Sequence, residues 1–453
     1  MRGWGAVLLT VAALGAPVAA ARAVQSNADA EVLGPKLPPI PTPREEARIR
    51  DQLLTERVKT ILPRLMREQG IDAWVLSARE YADDVVMKSF FAGEQMTARR
   101  QTILLIVDPG AGQPLETHSI ARYKVGDIFK PAWQPESKVG QFDRLAAMLR
   151  GRNVRRIAIN VSPDNAFADG LSKGQHDAMM AAFGPELAAR TVSSSPLVTR
   201  WLETRTPAEL KRQGEVVRIT HAILGEMYSR KVITPGRTSA DDARWWLRER
   251  IAGLGLGTWF SPSISIFRNG SKELDGDAVI QPGDLLHVDF GVTLYGLNSD
   301  VQHLAYVLRP GEREAPAGLR AGLRQANRMQ ALLLDALPGS ASGNGALVKV
   351  RAAMAREGID GTVYSHPLGL HGHGAGPAIG FWDDQAPSPR GAAGIYPNTG
   401  WSIELQATAA VPEWGGQKVP FRLEENGWWD GRAFHWFDGH QQAFHLIPGD
   451  PAR

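Results

Sequence analysis

The 453-residue sequence contains no cysteine. Disulfides, thiolate metal sites, a cysteine nucleophile and an S-acyl anchor are therefore excluded, and any metal must be held by His, Asp and Glu. Charge of one sign is lacking too: 51 Lys+Arg against 48 Asp+Glu leave a formal net charge of +3, without the basic excess of a nucleic-acid-binding protein. The amino-terminal apolar run, Ala6–Ala20, is interrupted by Gly15 and Pro17 and is shorter than the ~20 apolar residues that span a bilayer. Neither a repeat of solenoid period nor a phosphate-cradling glycine loop is present. With 43% hydrophobic and 22% charged residues, composition is that of a globular protein, which excludes a tail-like disordered chain.

What is there begins with a secretory layout. Met1–Ala23 places Arg2 ahead of the apolar run and ends it in small residues around Ala21-Arg22-Ala23, so residues 1–23 are expected to be a signal peptide. The mature protein is then exported, periplasmic or secreted, and retains no integral membrane segment. Residues 24–44 are rich in proline and lack an apolar period, as in an extended leader.

Apolar residues at helical spacing (Ile49, Leu53, Leu54, Val58, Ile61, Leu65, Met66) predict a helix over Glu45–Gly70, and strands follow at Ala73–Ser77, Thr102–Val107 and Arg156–Val161. Residues 45–204 thus form a smaller α/β domain. Residues 205–453 form a second domain, opened by Thr206-Pro207-Ala208-Glu209, which combines an N-cap, an N1 proline and a capping-box acid. Its helices are expected over Ala208–Lys231, from the Ser239/Asp242 cap to Ile251, and near Ala317–Ala336 and Gly345–Glu357. Its strands are expected at Ser263–Phe267, Leu285–Val292, Val301–Leu308, Trp401–Leu405 and Val419–Leu423. Short turns between strands favour antiparallel pairing and an α+β fold. The pair Trp245-Trp246 is read as core.

Chemistry concentrates in the second domain. Asp289 and Asp300 lie on two strands flanking one turn, and Asp289 interrupts a run expected to be buried. A single acid there is ordinarily salt-bridged; two brought together by one hairpin call for a cation. Further on, Ser365–Gly374 places His366, His371 and His373 among glycines, and Glu404 and Glu424 each sit in a strand-like apolar segment. Four carboxylates with one imidazole form a hard, oxygen-rich donor set suited to two divalent ions such as Mn, Zn or Co.

The order Asp289, Asp300, His366 in an H-x-x-G-x-x-x-H frame, Glu404 in S-I-E and Glu424 in R-L-E resembles the M24 metallopeptidases, the group of methionine aminopeptidase, Xaa-Pro aminopeptidase and prolidase. The resemblance covers about 205–431. It implies a pita-bread (creatinase/aminopeptidase) catalytic domain, and the preceding α/β domain resembles the creatinase-type N-terminal domain. It implies two divalent metal ions, manganese first with zinc or cobalt as alternatives: Asp289 chelating one, Asp300 and Glu424 bridging both, His366 and Glu404 completing the other. A water activated between the metals would attack the scissile carbonyl, Glu404 would take and pass on its proton, and His373 would bind the oxyanion. His371 is the alternative start of the histidine frame, but it would put Ala378 in the position of His373. Arg422 would either orient Glu424 or face solvent.

The implied partner is a short peptide, Xaa-Pro by preference, and a homodimer is compatible with the resemblance. Three departures stand out: no His precedes Asp289 at the usual spacing, where Lys272 is nearest; Gln302 replaces a common Thr; and Leu405-Gln406 replaces Pro-Gly. The alternative function is a fold-related non-peptidase, either a creatinase-like hydrolase or a non-catalytic binding protein. The aromatic residues Trp428-Trp429 and Phe434–Phe437 are expected to pack against the domain rather than rim a prolyl subsite.

Overall fold

The computed structural model describes residues 36–110 and 112–449. The predicted signal peptide and the start of the leader lie outside the described residues. Residues 36–42 have no regular structure, residues 43–44 already belong to the first helix, and Leu37 and Ile40 pack against the core. The predicted first helix is two: α1 (Pro43–Thr60) and α2 (Leu62–Glu68). α1 starts two residues before the predicted boundary because Thr42 and Glu45 close a capping box.

A six-stranded sheet follows, of order β4-β3-β2-β1-β5-β6. Its strands are β1 (Ala73–Arg79), β2 (Gln101–Val107), β3 (Glu116–Ser119), β4 (Lys130–Pro131), β5 (Ile157–Ile159) and β6 (Thr191–Ser193). The helices of this part are α3 (Val85–Lys88), α4 (Gln141–Arg150), α5 (Lys173–Ala188) and α6 (Ser195–Glu203). β1 pairs antiparallel with β2 and parallel with β5, the mixed pattern of an α/β unit.

Beyond α6 run α7 (Pro207–Met227) and α8 (Ala240–Gly253), each opened by the predicted capping box. A second sheet is built from β7 (Ser263–Phe267), β8 (Leu285–Phe290), β11 (Val301–Val307), β12 (Gly361–Val363), β13 (His366–Pro367), β14 (Thr399–Val411), β15 (Gln417–Trp429), β16 (Phe434–Trp436) and β17 (His445–Ile447). The small hairpin β9 (Thr293–Leu294) and β10 (Leu297–Asn298) joins β8 to β11. The main path β12-β14-β15-β11-β8-β7 is antiparallel throughout, as the short turns imply.

One side of this sheet is covered by helices. α7 and α8 pack on Leu286, Val288 and Phe290 of β8 and on Val301, Ala305 and Val307 of β11. α9 (Ala317–Ala336) and α10 (Gly343–Glu357) pack on Ile403 and Leu405 of β14 and Phe421 and Leu423 of β15. The intervening residues of each strand must face the other side. Register then fixes a row: Asp289 opposes Gln302, Gln302 opposes Glu424, and Glu424 opposes Glu404.

Arg57 of α1 ties the two sheets together, 2.8 Å from Glu209 of α7, with both side chains almost fully buried. The expectation that Trp245 is core is corrected by the structure. α8 buries Ala243, Leu247 and Ile251, a stripe four residues apart, and leaves Trp245 on the opposite side, half exposed beside Arg244. Trp246 is partly buried against the α7/α8 core.

Candidate metal centre

The turn between β8 and β11 brings Asp300 beside Asp289, while the β14–β15 pairing brings Glu404 beside Glu424. β13 pairs with the start of β14, His366 opposite Ser402, and so delivers the imidazole to the same place. His366 Nε2 lies 3.4 Å from Glu424 Oε1, 3.7 Å from Asp300 Oδ2 and 3.8 Å from Glu404 Oε2. Two overlapping donor groups result, His366/Glu404/Glu424 and Asp289/Asp300/Glu424, with Asp300 also near His366 and His373. The structure thus brings together all five of the residues expected to hold metal.

The donors suit divalent cations. Asp289 Oδ1, Asp300 Oδ1 and His366 Nε2 are buried and have no hydrogen-bond partner among the described residues, which is unfavourable unless a cation fills the space. His366 Nδ1 faces its neighbour's carbonyl, Pro367 O, at 3.1 Å, which fixes the ring so that Nε2 turns to the carboxylates. Burial, and then repulsion from Glu424, push Asp289, Asp300 and Glu404 well above the usual carboxylate range. Burial acts on Glu424 in the same sense but is outweighed by His366, Ser402 and Gln302, which keep it low. Ser402 Oγ donates to Glu424 Oε1 at 2.5 Å, and Asn426 in turn donates to Ser402 at 3.0 Å.

His373 stands at the open edge, its ring edge-on to His366 at 4.8 Å and to Trp259 at 5.0 Å. Gly372 permits this: a Cβ there would come within 2.1 Å of the Trp259 ring. Burial, chiefly, draws His373 down to about 4, so the ring is neutral near pH 7. His371 goes elsewhere, against Phe167 at 4.9 Å.

A cleft of about 490 Å³ opens over the row, lined by His287, Asp289, Gln302, Tyr364, Trp382, Glu404 and Arg422 among others. Arg422 takes neither of its expected roles. It lies in the cleft wall, bound by two nitrogens to Glu273 at 2.8 and 3.0 Å and donating to Gln406 Oε1 at 3.0 Å. Lys272 is exposed and outside the cleft wall; the β7 residues that line it are Ser263 and Ser265. The aromatics over the cleft are Tyr364 and Trp382, whereas Trp429 is buried and Phe434 and Trp436 pack on the core.

The sequence reading passed over a second titratable cluster on the helix side. Glu425 lies 2.6 Å from His303 Nε2 and 3.2 Å from His221 Nε2; His221 Nδ1 meets Asp438 at 2.8 Å, and His303 Nδ1 meets His445 Nε2 at 3.1 Å. Its signal was available: Glu425 and His303 each follow a residue of the row, so a period of two turns them to the reverse side. These donors are already hydrogen-bonded to one another, unlike those around His366.

Residues 212–424 match the model of metallopeptidase family M24. No curated protein matches the chain by sequence. Among solved structures, the chain is similar to an X-Pro aminopeptidase from Thermotoga maritima MSB8 (17% identity, 85% of this chain and 99% of that one, TM-score 0.61). It is also similar to an Xaa-Pro dipeptidase from Bacillus anthracis (17%, 88% and 99%, TM-score 0.56) and a dipeptidase from Pyrococcus horikoshii OT3 (16%, 88% and 99%, TM-score 0.58). At these identities the likeness is one of fold, and it spans both sheets.

Proposed function

Residues 212–424 are an M24 metallopeptidase domain on the pita-bread fold, preceded by an α/β unit, and from that premise we propose that this metallopeptidase removes the first residue from short Xaa-Pro peptides with two divalent cations. The observation that carries the reading is the convergence of four carboxylates on one imidazole, with three buried donor atoms otherwise unpartnered. Asp289, Asp300 and Glu424 would hold one ion; Asp300, His366, Glu404 and Glu424 the other. Manganese suits this oxygen-rich set, with zinc or cobalt as alternatives. When bound, the ions supply Lewis acidity to the attacking water and to the scissile carbonyl.

The chain's own residues do the rest. Glu404 Oε1 is committed to the Gln302 amide at 2.7 Å, so Oε2 is the atom that takes the water's proton and passes it to the leaving nitrogen. His373, neutral and at the open edge, donates one N–H to the developing oxyanion. Tyr364 and Trp382 offer apolar faces to the substrate side chains at the mouth of the cleft.

The test is a peptide panel with the Mn²⁺-loaded protein. Release of the first residue from Xaa-Pro-Yaa supports the proposal; cleavage of Xaa-Pro alone makes the enzyme a dipeptidase. Hydrolysis of neither, with Xaa-Ala-Yaa cleaved instead, refutes the proline preference. We further propose export, resting on residues 1–23; cell fractionation that finds the protein in the cytoplasm, with amino-terminal sequencing showing those residues intact, would overturn it. Among the described residues no helix is long and apolar enough to cross a membrane. The homodimer suggested by the resemblance is tested by light scattering.

A further inference from the structure

The centre of the row is not a metal ligand but an amide. Gln302 Nε2 donates to Glu404 Oε1 at 2.7 Å and to Glu424 Oε2 at 2.9 Å. The edge of Gln302 that faces the two carboxylates is thus its NH₂ group, and its Oε1 points away. That oxygen lies 2.9 Å from His287 Nε2. An amide oxygen only accepts, so His287 must carry its proton on Nε2. Its other nitrogen, Nδ1, is buried and without a partner among the described residues, as a bare lone pair would be.

The consequence is directional. Gln302 engages one oxygen of each glutamate, and the other two, Glu404 Oε2 and Glu424 Oε1, are the ones standing 3.8 and 3.4 Å from His366 Nε2. A Thr at 302 is too short to bridge two carboxylates and reach His287 as well. We propose that Gln302 is a positioning residue, locked in one amide orientation by His287, that aims Glu404 and Glu424 before a divalent cation arrives. The inference rests on the metallopeptidase reading above.

The test is calorimetric titration of the metal-free full-length chain with Mn²⁺ alone. Gln302→Met keeps the volume and removes all three side-chain hydrogen bonds, and is expected to weaken Mn²⁺ binding about 10- to 100-fold. His287→Leu moves affinity the same way, and His287→Gln, which keeps an N–H donor, restores most of it. Because His287 acts through Gln302, the double variant Gln302→Met/His287→Leu binds no more weakly than Gln302→Met alone. Nitrogen-15 NMR of the histidine-labelled, Zn²⁺-loaded wild type is expected to show the His287 proton on Nε2, a readout that needs no variant. A proton on Nδ1, additive losses in the double variant, or unchanged affinity in a folded Gln302→Met overturns the inference. If the wild type binds no metal, the metallopeptidase reading falls with it; if it binds and Gln302→Met binds equally well, only the positioning role falls.

Discussion

Glu424 and Glu425 are consecutive on β15 and serve opposite sides of the sheet. Glu424 faces His366 Nε2 at 3.4 Å, in a group where Asp289 Oδ1, Asp300 Oδ1 and His366 Nε2 lack hydrogen-bond partners; Glu425 faces His303 Nε2 at 2.6 Å, in a group closed by its own hydrogen bonds. Strand alternation alone separates them. The first group is built to receive a cation, the second to join α7, β11 and the last strand behind it.

Cation binding should therefore reverse the effect of removing one site charge. Without metal, Asp300→Asn is expected to stabilise the fold by about 1–2 kcal/mol, since it relieves repulsion among buried carboxylates. With Mn²⁺ at 100 times its dissociation constant, the wild type gains about 2.7 kcal/mol and the variant little. Thermal unfolding of both proteins, with chelator and with Mn²⁺, checks the crossing; parallel shifts in the two proteins count against the site.

Gly372→Ala should impair turnover more than stability. The added Cβ overlaps the Trp259 ring, and either the ring or the loop carrying His373 must move. A misplacement near 1 Å lowers kcat by about 100-fold in comparable cases. Steady-state kinetics on a cleaved peptide decide it: the loss should fall on kcat, with KM little changed.

The joint between the sheets is expected to be fragile to charge removal. Arg57 also donates to the carbonyls of Thr204 and Trp201 and lies over the Trp201 ring at 4.1 Å. Arg57→Met leaves Glu209 buried with Arg205 at 3.2 Å as its one remaining cationic partner among the described residues, beside the Thr206 N–H at 2.9 Å. A loss of about 3–5 kcal/mol follows. Urea denaturation measures it, and a loss below 1 kcal/mol would show that Arg205 suffices.

Stability should fall toward alkaline pH through His221. Burial disfavours its charged form, but hydrogen bonds to Asp438 and Glu425 outweigh that and raise it from 6.5 to about 9. The folded state therefore holds a proton that the unfolded chain has released. The stabilisation is full below pH 6.5 and is lost as pH rises through about 9, with a slope of up to about 1.4 kcal/mol per pH unit. Glu425, held down from 4.5 to about 2 against its burial by the His303 and His221 contacts, acts in the opposite range: its stabilisation is full above pH 4.5 and is lost as pH falls through about 2. Denaturation at pH 6, 7.5 and 9 should show the alkaline decline in the wild type and a flattened one in His221→Gln.

Local features were legible in the sequence. Capping boxes at Thr206 and Ser239, the helix over Ala317–Ala336 and the strand Ser263–Phe267 depend on neighbours a few residues away, and they form where expected. Acids in apolar strand segments were visible for the same reason. Partners set by register were not. Gln302 reads as a mere departure until β11 lies between β8 and β15, which puts it against Glu424, 122 residues on. Arg422 could not be assigned because Glu273, which holds it, is 149 residues earlier. Trp245 misled because an aromatic doublet carries less information than the stripe of Ala243, Leu247 and Ile251, spaced four residues apart, beside it.

The row Asp289, Gln302, Glu424, Glu404 crosses four strands with one member from each. Shifting any one of them by a single position would carry its member through to the helix side and bring a neighbour such as Val288, His303, Glu425 or Ile403 into the row. The same slip would turn that strand's apolar residues away from the helices, so the burial that builds the core also holds the row of metal donors in register.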